Sequence, residues 1–347
     1  MARLWRSDRA IASRLLTAKP QFLPRRASSR PDEKISPEVG LKVAVIGSGA
    51  WGSTLAGLAK ENGHSVEVWS RHNSRSLEQV TDGASLVVSA ISMKGVRTVI
   101  HQLKSSSLSA DTILVTATKG LDSSGADLMP RLPSQLWQAA FPTHAVAILS
   151  GPNLSKEIQQ GLPAASVIAC KNLEAAEQVQ AVLSSARFRI YTNSDSLGVE
   201  LGGALKNVIA IAVGACDGLQ LGTNAKAALM TRGLAEIIRI GTYWGAQAET
   251  FYGLSGLGDL LATCNSALSR NYQVGYGLAQ GKSLEEVLSQ LEGTAEGVNT
   301  THVLIRLANQ QNISVPISFQ VHQLLQGEVT PQAAVAALML RDSKPEA

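Results

Sequence analysis

The chain has 347 residues, 45% apolar, 17% charged and 4% aromatic, enough for about two domains with true hydrophobic cores. That composition excludes a disordered polyelectrolyte, and no uninterrupted run of 18 or more apolar residues is present. The net charge of +4 is a property of one end. Residues 1–38 hold nine Lys/Arg and four acids, whereas the remaining 309 hold 22 basic and 23 acidic groups. A near-neutral body without a Lys/Arg run or stacking aromatics excludes nucleic-acid binding.

Residues 1–38 are Arg-rich with Ser, Ala and three prolines up to Pro31, and lack the apolar segment of a secretory signal. They read equally as an organelle transit peptide or as an unstructured extension, so the compartment expected is the cytoplasm, or the plastid if they form a transit peptide. Cys170, Cys216 and Cys264 lie far apart, form no Cys-x-x-Cys or Cys/His cluster, and suit buried thiols in a reducing compartment rather than a metal site.

The body opens with Leu41–Ile46, an apolar β-branched run that reads as a buried parallel strand. A helix over Trp51–Asn62 follows, then strands at Ser65–Trp69, Ser85–Ile91, Thr112–Ala117 and Ala145–Leu149. Ala165–Ala169 and Phe188–Tyr191 extend the sheet. Strands alternating with helices predict βαβ units and a doubly wound, parallel, Rossmann-type α/β domain over 39–195. From Leu197 the chain turns to long Ala/Leu/Ile-rich helices, including Leu284–Leu291, Thr301–Gln310 and Pro331–Arg341. An all-α domain over 196–341, with a tail at 342–347, is expected to follow. Its Ala/Gly-rich helices are compatible with a homodimer.

Gly47-Ser48-Gly49-Ala50-Trp51-Gly52 is a Gly-x-Gly-x-x-Gly string between a strand and a helix, the context a dinucleotide fingerprint needs. Gly47 permits the tight turn, Gly49 lets backbone approach a pyrophosphate, and Gly52 lets helix and strand pack. The free N–H groups of the helix start then bind the diphosphate. An NAD-specific site would place an acid after the second strand; here Ser70, Arg71 and His72 stand there. Arg71 suits a 2′-phosphate and favours NADPH over NADH.

Lys119 follows the fourth strand and Ser150-Gly151-Pro152-Asn153 the fifth, so both are expected at the carboxyl rim where ligands bind. Lys206 and Asn207 are isolated polar residues in the helix Val199–Gly214, in a stretch otherwise suited to burial, beside Gly202-Gly203. Two helical glycines cost about 1 kcal/mol each relative to Ala, which close approach of a backbone or ligand would explain. A Lys drawn into such a site becomes a usable proton donor or acceptor. Gly253–Gly258 precedes Asp259, which by itself reads as a helix N-cap. Ser269-Arg270-Asn271 at the next helix start makes an anion site for a phosphate monoester.

Together these strings, with Ala295-Glu296-Gly297, resemble in content and order the NAD(P)-dependent glycerol-3-phosphate dehydrogenase family of the bacterial and plastid type, over about residues 41–340. The resemblance implies reversible reduction of dihydroxyacetone phosphate to sn-glycerol 3-phosphate, feeding phospholipid synthesis. It gives Lys206 the proton transfer, with Lys119, Asn207 and Asp259 as catalytic neighbours. Gly47, Gly49, Ala50, Trp51, Gly52, Arg71, His72, Lys119, Ser155, Arg270, Thr294 and Glu296 would contact the cofactor. Lys119, Gly151, Asn153, Lys206, Asp259, Thr263, Ser269, Arg270 and Asn271 would contact the substrate. One departure is a segment of about fifteen residues between Trp69 and Ser85, where the family has a longer one with a helix. A β-hydroxyacid dehydrogenase and a non-catalytic redox sensor are the competing readings; the phosphate site speaks against the first.

Overall fold

The computed structural model describes residues 40–342 except 73, 107 and 123–128, together with 345. The N-terminal extension expected over 1–38 lies outside the described residues. Gly40–Ala347 forms one compact unit.

Seven strands form a single sheet: β1 (Lys42–Ile46), β2 (Ser65–Trp69), β3 (Leu86–Ser89), β4 (Ile113–Thr116), β5 (Val146–Ser150), β6 (Ala164–Ala169) and β7 (Phe188–Asn193), in the spatial order β2-β1-β3-β4-β5-β6-β7. β1 to β5 are parallel neighbours, as the alternating pattern predicts. β6 corrects the expectation of a uniformly parallel sheet, because it runs antiparallel to β5 and parallel to β7. The physical reason is the β5–β6 connection. Its one helix, Ser155–Gln159, has 5 residues and rises about 7.5 Å, too little to carry the chain back along a strand about 17 Å long.

Side chains alternate across the sheet as a two-residue period requires. Val43, Val45, Val88 and Leu149 pack on one face, and Ala44, Ile46, Val87 and Leu114 on the other. The covering helices are α1 (Ala50–Glu61), α2 (Leu77–Thr81), α3 (Met93–Leu103), α4 (Pro133–Ala140), α5 (Ser155–Gln159) and α6 (Leu173–Leu183). α1 starts one residue earlier than the sequence pattern suggests, and α2 is the short helix that fills the abbreviated stretch between β2 and β3.

Beyond β7 the described residues form only helices: α7 (Ser196–Gly218), α8 (Gly222–Tyr243), a 3₁₀ turn (Ala248–Tyr252), a π turn (Leu254–Gly258), α9 (Asp259–Cys264), α10 (Arg270–Ala279), α11 (Leu284–Gln290), α12 (Glu296–Gln311), α13 (Pro316–Gln326) and α14 (Pro331–Met339). α7 is the axis of this layer. It is long and apolar enough to cross a membrane, but 94% of its apolar window is buried inside the protein, and α8, α9, α10, α12 and α13 pack around it. Glycines make that packing possible. A Cβ on Gly275 of α10 would run into the Ile211 carbonyl of α7, and one on Gly214 would run into the Tyr272 carbonyl of α10.

Candidate active site

The glycine string adopts the conformation its residues permit. Gly47 sits at φ +114, where L side chains are strained, and a Cβ there would lie 2.6 Å from the Ala90 carbonyl. A Cβ on Gly52 would overlap the Gly47 carbonyl oxygen, so α1 packs onto the turn through glycine alone. Gly49 has nothing within 4 Å of its Cβ position, and no side chain caps α1. The first N–H groups of α1, on Ala50, Trp51 and Gly52, thus lack intrahelical acceptors at an open glycine cradle, which fits a diphosphate. Arg71 and His72 lie exposed just beyond β2, and the His72 N–H donates to Ser70 Oγ at 3.4 Å. Ser155 opens α5, whose Gln159 reaches across to the Ala50 carbonyl (3.1 Å) and Thr54 Oγ1 (2.9 Å) of α1.

At the carboxyl rim, two ammonium groups meet on one carboxylate. Lys119 Nζ, from the end of β4, donates to Asp259 Oδ2 at 2.6 Å and to the Gly151 carbonyl at 3.0 Å. Lys206 Nζ, from α7, donates to Asp259 Oδ1 at 2.9 Å and to Thr263 Oγ1. An ammonium has three donors, so each lysine keeps one N–H beyond these bonds among the described residues. Asp259 is 2% exposed and Lys206 6%. Burial lowers the Lys206 ammonium, and Lys119 lowers it further, against the opposing pull of Asp259. Burial alone would raise the Asp259 carboxyl, but the two lysines outweigh it and hold it below the ordinary value.

Asp259 is therefore not the helix cap that its local sequence suggests. Gly258 occupies the cap position, already helical, and the π turn feeds straight into α9. The turn can lie against α7 because Gly202 faces the Ser255 carbonyl, where a Cβ would stand 2.8 Å away, and Gly203 faces Ser150 Oγ and the Lys119 methylenes. The glycine pair is explained by close backbone approach. Ser150 Oγ, which stands in the predicted rim turn but was given no role of its own, is buried there without a hydrogen-bond partner among the described residues.

The fifth-strand turn reverses at Gly151 (φ +138). Asn153 Nδ2 donates to Ser166 Oγ at 3.2 Å, leaving Asn153 Oδ1 buried and unpartnered. Ser269 caps α10 by accepting from the Tyr272 N–H at 3.2 Å. Asn207, expected beside Lys206 as a catalytic neighbour, and Asn271, expected at the phosphate, are joined: Asn271 Nδ2 donates to Asn207 Oδ1 at 2.8 Å, and the Gly297 N–H donates to Asn271 Oδ1 at 2.9 Å. Arg270 is exposed and passes beside Gly293, next to Thr294. Glu296 Oε1 accepts from the Met93 N–H at 3.1 Å, which brings α12 to the end of β3 and to Gly120. Burial raises the Glu296 carboxyl, opposed by Met93, Arg270 and Lys94. Glu200 was also passed over; it is 2% exposed and bonds the start of α4.

Both halves of the chain are similar to known proteins. The model of the NAD-dependent glycerol-3-phosphate dehydrogenase N-terminus matches residues 42–76 and 72–176, and that of the C-terminus matches residues 195–336. A glycerol-3-phosphate dehydrogenase [NAD(P)+] of Nostoc sp. is 64% identical over 304 residues, covering 88% of this chain and 98% of the relative. One from Synechocystis sp. is 59% identical over 305 residues, covering 88% and 95%. The crystal structure of glycerol-3-phosphate dehydrogenase from Coxiella burnetii superposes with a TM-score of 0.82 at 32% identity, covering 87% of this chain and 99% of that one. With both halves of the family matched and relatives above half identity along nearly their whole length, this chain is an oxidoreductase of the NAD(P)-dependent glycerol-3-phosphate dehydrogenase family.

Proposed function

We propose that the chain catalyses reversible reduction of dihydroxyacetone phosphate to sn-glycerol 3-phosphate with NADPH or NADH, supplying the glycerol backbone of phospholipids. The observation that carries this reading is the convergence of Lys119 and Lys206 on Asp259, each with an N–H to spare. The cofactor would lie along Gly47, Gly49 and the start of α1, with Arg71 and His72 toward its ribose and Thr294 and Glu296 on the far side. When bound, it supplies the hydride for the carbonyl carbon.

The residues of the chain supply the rest. Lys206 directs an N–H at the carbonyl oxygen, stabilises the charge that develops there and passes a proton to it. Burial favours the neutral amine that results, and the charge on Asp259 favours recovery of the ammonium. Lys119, fixed by the Gly151 carbonyl, holds the second donor in place. Ser269, Arg270 and Asn271 at the start of α10 suit the phosphate, and holding it there restricts the carbonyl to a reactive orientation. Residues 39–195 act as the nucleotide domain and 196–341 as the substrate domain.

The deciding experiment is oxidation of NADPH and of NADH by the purified chain with dihydroxyacetone phosphate. Lys206→Ala should abolish turnover while cofactor binding, followed by fluorescence, persists. No turnover with either cofactor would refute the reading. Arg71 supports preference for NADPH, and Arg71→Ala should erode that preference. A cytoplasmic location, or the plastid if residues 1–38 are removed as a transit peptide, is tested by the mass of the mature N-terminus. A homodimer is tested by sedimentation.

A further inference from the structure

Glu200 sits on the second turn of α7, six residues before Lys206 and so about 9 Å from it along the helix, outside any catalytic contact. Its carboxylate is 2% exposed and reaches across to α4, a helix packed on β4, β5 and α3. Oε1 accepts from the Ser134 N–H at 2.8 Å, and Oε2 accepts from Ser134 Oγ. α4 begins Leu132-Pro133-Ser134, and its cap residue Leu132 offers no side-chain acceptor. Glu200 therefore performs for α4, from the opposite layer, the task an Asp or Ser would perform locally. The chain between Lys119 and α4 is anchored in that same layer. Leu121 and Leu132 belong to the core around α7, and Asn299 Nδ2 donates to the Leu121 carbonyl at 2.8 Å.

We propose that Glu200 is a positioning residue for the reduction: as a buried carboxylate capping α4 from α7, it holds the Lys206 helix in register with the strand end that carries Lys119. This rests on the functional reading above.

A buried ionised carboxylate is an unusual tie. Burial raises the Glu200 carboxyl to about 7, against the two Ser134 bonds. Among the described residues, the groups that set its titration are burial and the two Ser134 bonds, with no countercharge beside them. α4, β5 and the π turn contain no ionisable residue. On α7 itself, Asp195 at the cap is tied to the Gly198 and Gln247 N–H groups and to Thr250 Oγ1, and Lys206 is tied to Asp259 of α9. Glu296 of α12 is tied to Met93, and the Arg131 carbonyl, just before α4, accepts from the Asp122 N–H. Because the folded value lies above the unfolded 4.5, the stability associated with this group is full below 4.5 and is lost as pH rises through about 7. The ionised form is thus kept at the expense of stability. Protonation turns one acceptor oxygen into a donor, so Ser134 Oγ must turn to accept and the charge-assisted cap on α4 is lost, even though the fold is relieved of a buried charge.

The test uses the full chain, with E200Q and S134A beside the parent, and follows kcat and KM for dihydroxyacetone phosphate against pH, the thermal midpoint, and the infrared band of a protonated carboxyl. The parent should lose kcat on the acid side with a midpoint near 7. E200Q should lack that acid limb and the titrating band, and turn over about tenfold more slowly above neutrality. Its KM for NADPH should be unchanged and its thermal midpoint equal or higher. S134A should move the acid limb upward in pH. An E200Q profile that superimposes on the parent, or a lowered thermal midpoint with full kcat, would show an ordinary structural cap and overturn the inference. A parent inactive with dihydroxyacetone phosphate would instead overturn the functional reading.

Discussion

Replacing Asp259 with Asn separates the electrostatic from the steric role of the central carboxylate. Its oxygens lie 2.6 Å from Lys119 Nζ and 2.9 Å from Lys206 Nζ, with the Asp259 and Lys206 side chains 3% and 8% exposed. At an effective dielectric of about 20, unit charges about 3 Å apart attract by roughly 5–6 kcal/mol, before desolvation is counted. An amide of the same shape removes both attractions and leaves the buried Lys206 ammonium facing the part-buried Lys119 ammonium. Breaking a buried pair by removing one partner costs about 3–5 kcal/mol, and that is the expected loss of unfolding free energy near neutral pH. Without Asp259 the Lys206 ammonium, already lowered by burial, loses its main support, so the pH at which reduction fails on the alkaline side should move down. Denaturant unfolding with linear extrapolation gives the first quantity, and kcat against pH the second. A loss below about 1 kcal/mol, the range of an exposed ion pair, together with an unmoved alkaline limb, would refute the reasoning.

Gly52→Ala forces a methyl into the Gly47 carbonyl and should cost about 1–3 kcal/mol through overpacking, while NADPH affinity falls at least about tenfold in a fluorescence titration; parental affinity would show that the turn does not hold the diphosphate. Arg270→Ala should raise KM for the phosphorylated substrate much more than it lowers kcat, and steady-state kinetics that show loss of cofactor affinity alone would argue against a phosphate role. Cys264 is 0% exposed, and burial pushes its thiol to about 12. It should therefore resist a thiol reagent in the native protein and react on unfolding, which a timed labelling assay reads directly.

Legibility in the sequence followed how local each interaction is. The glycine string is a strand–turn–helix unit whose conformational demands lie within six residues, so Gly47, Gly49 and Gly52 could be assigned roles from order alone. The polar pair Lys206-Asn207 was visible because the residues on either side of it in α7, Leu201–Leu205 and Val208–Cys216, are apolar or small, and a polar residue in a buried stripe needs a partner. The resemblance then joined Lys119, Lys206 and Asp259, but their separate strings did not say that one carboxylate bridges both lysines. Taken alone, Asp259 looked like a helix cap.

Composition and periodicity determined two layers, the parallel run β1–β5, a buried α7 and the places where glycine had to stand, because these depend on the period of burial and on the space beside each Cα. The tertiary structure decided the reversal at β6, the pairing of Asn207 with Asn271, the reach of Glu296 to Met93 and the capping of α4 by Glu200. Asn207 and Asn271 meet only where α7 and α10 pack, and Glu296 and Glu200 reach Met93 and Ser134 only when the sheet and helical layers dock. Hydrogen bonds of that kind leave no periodic mark along the chain.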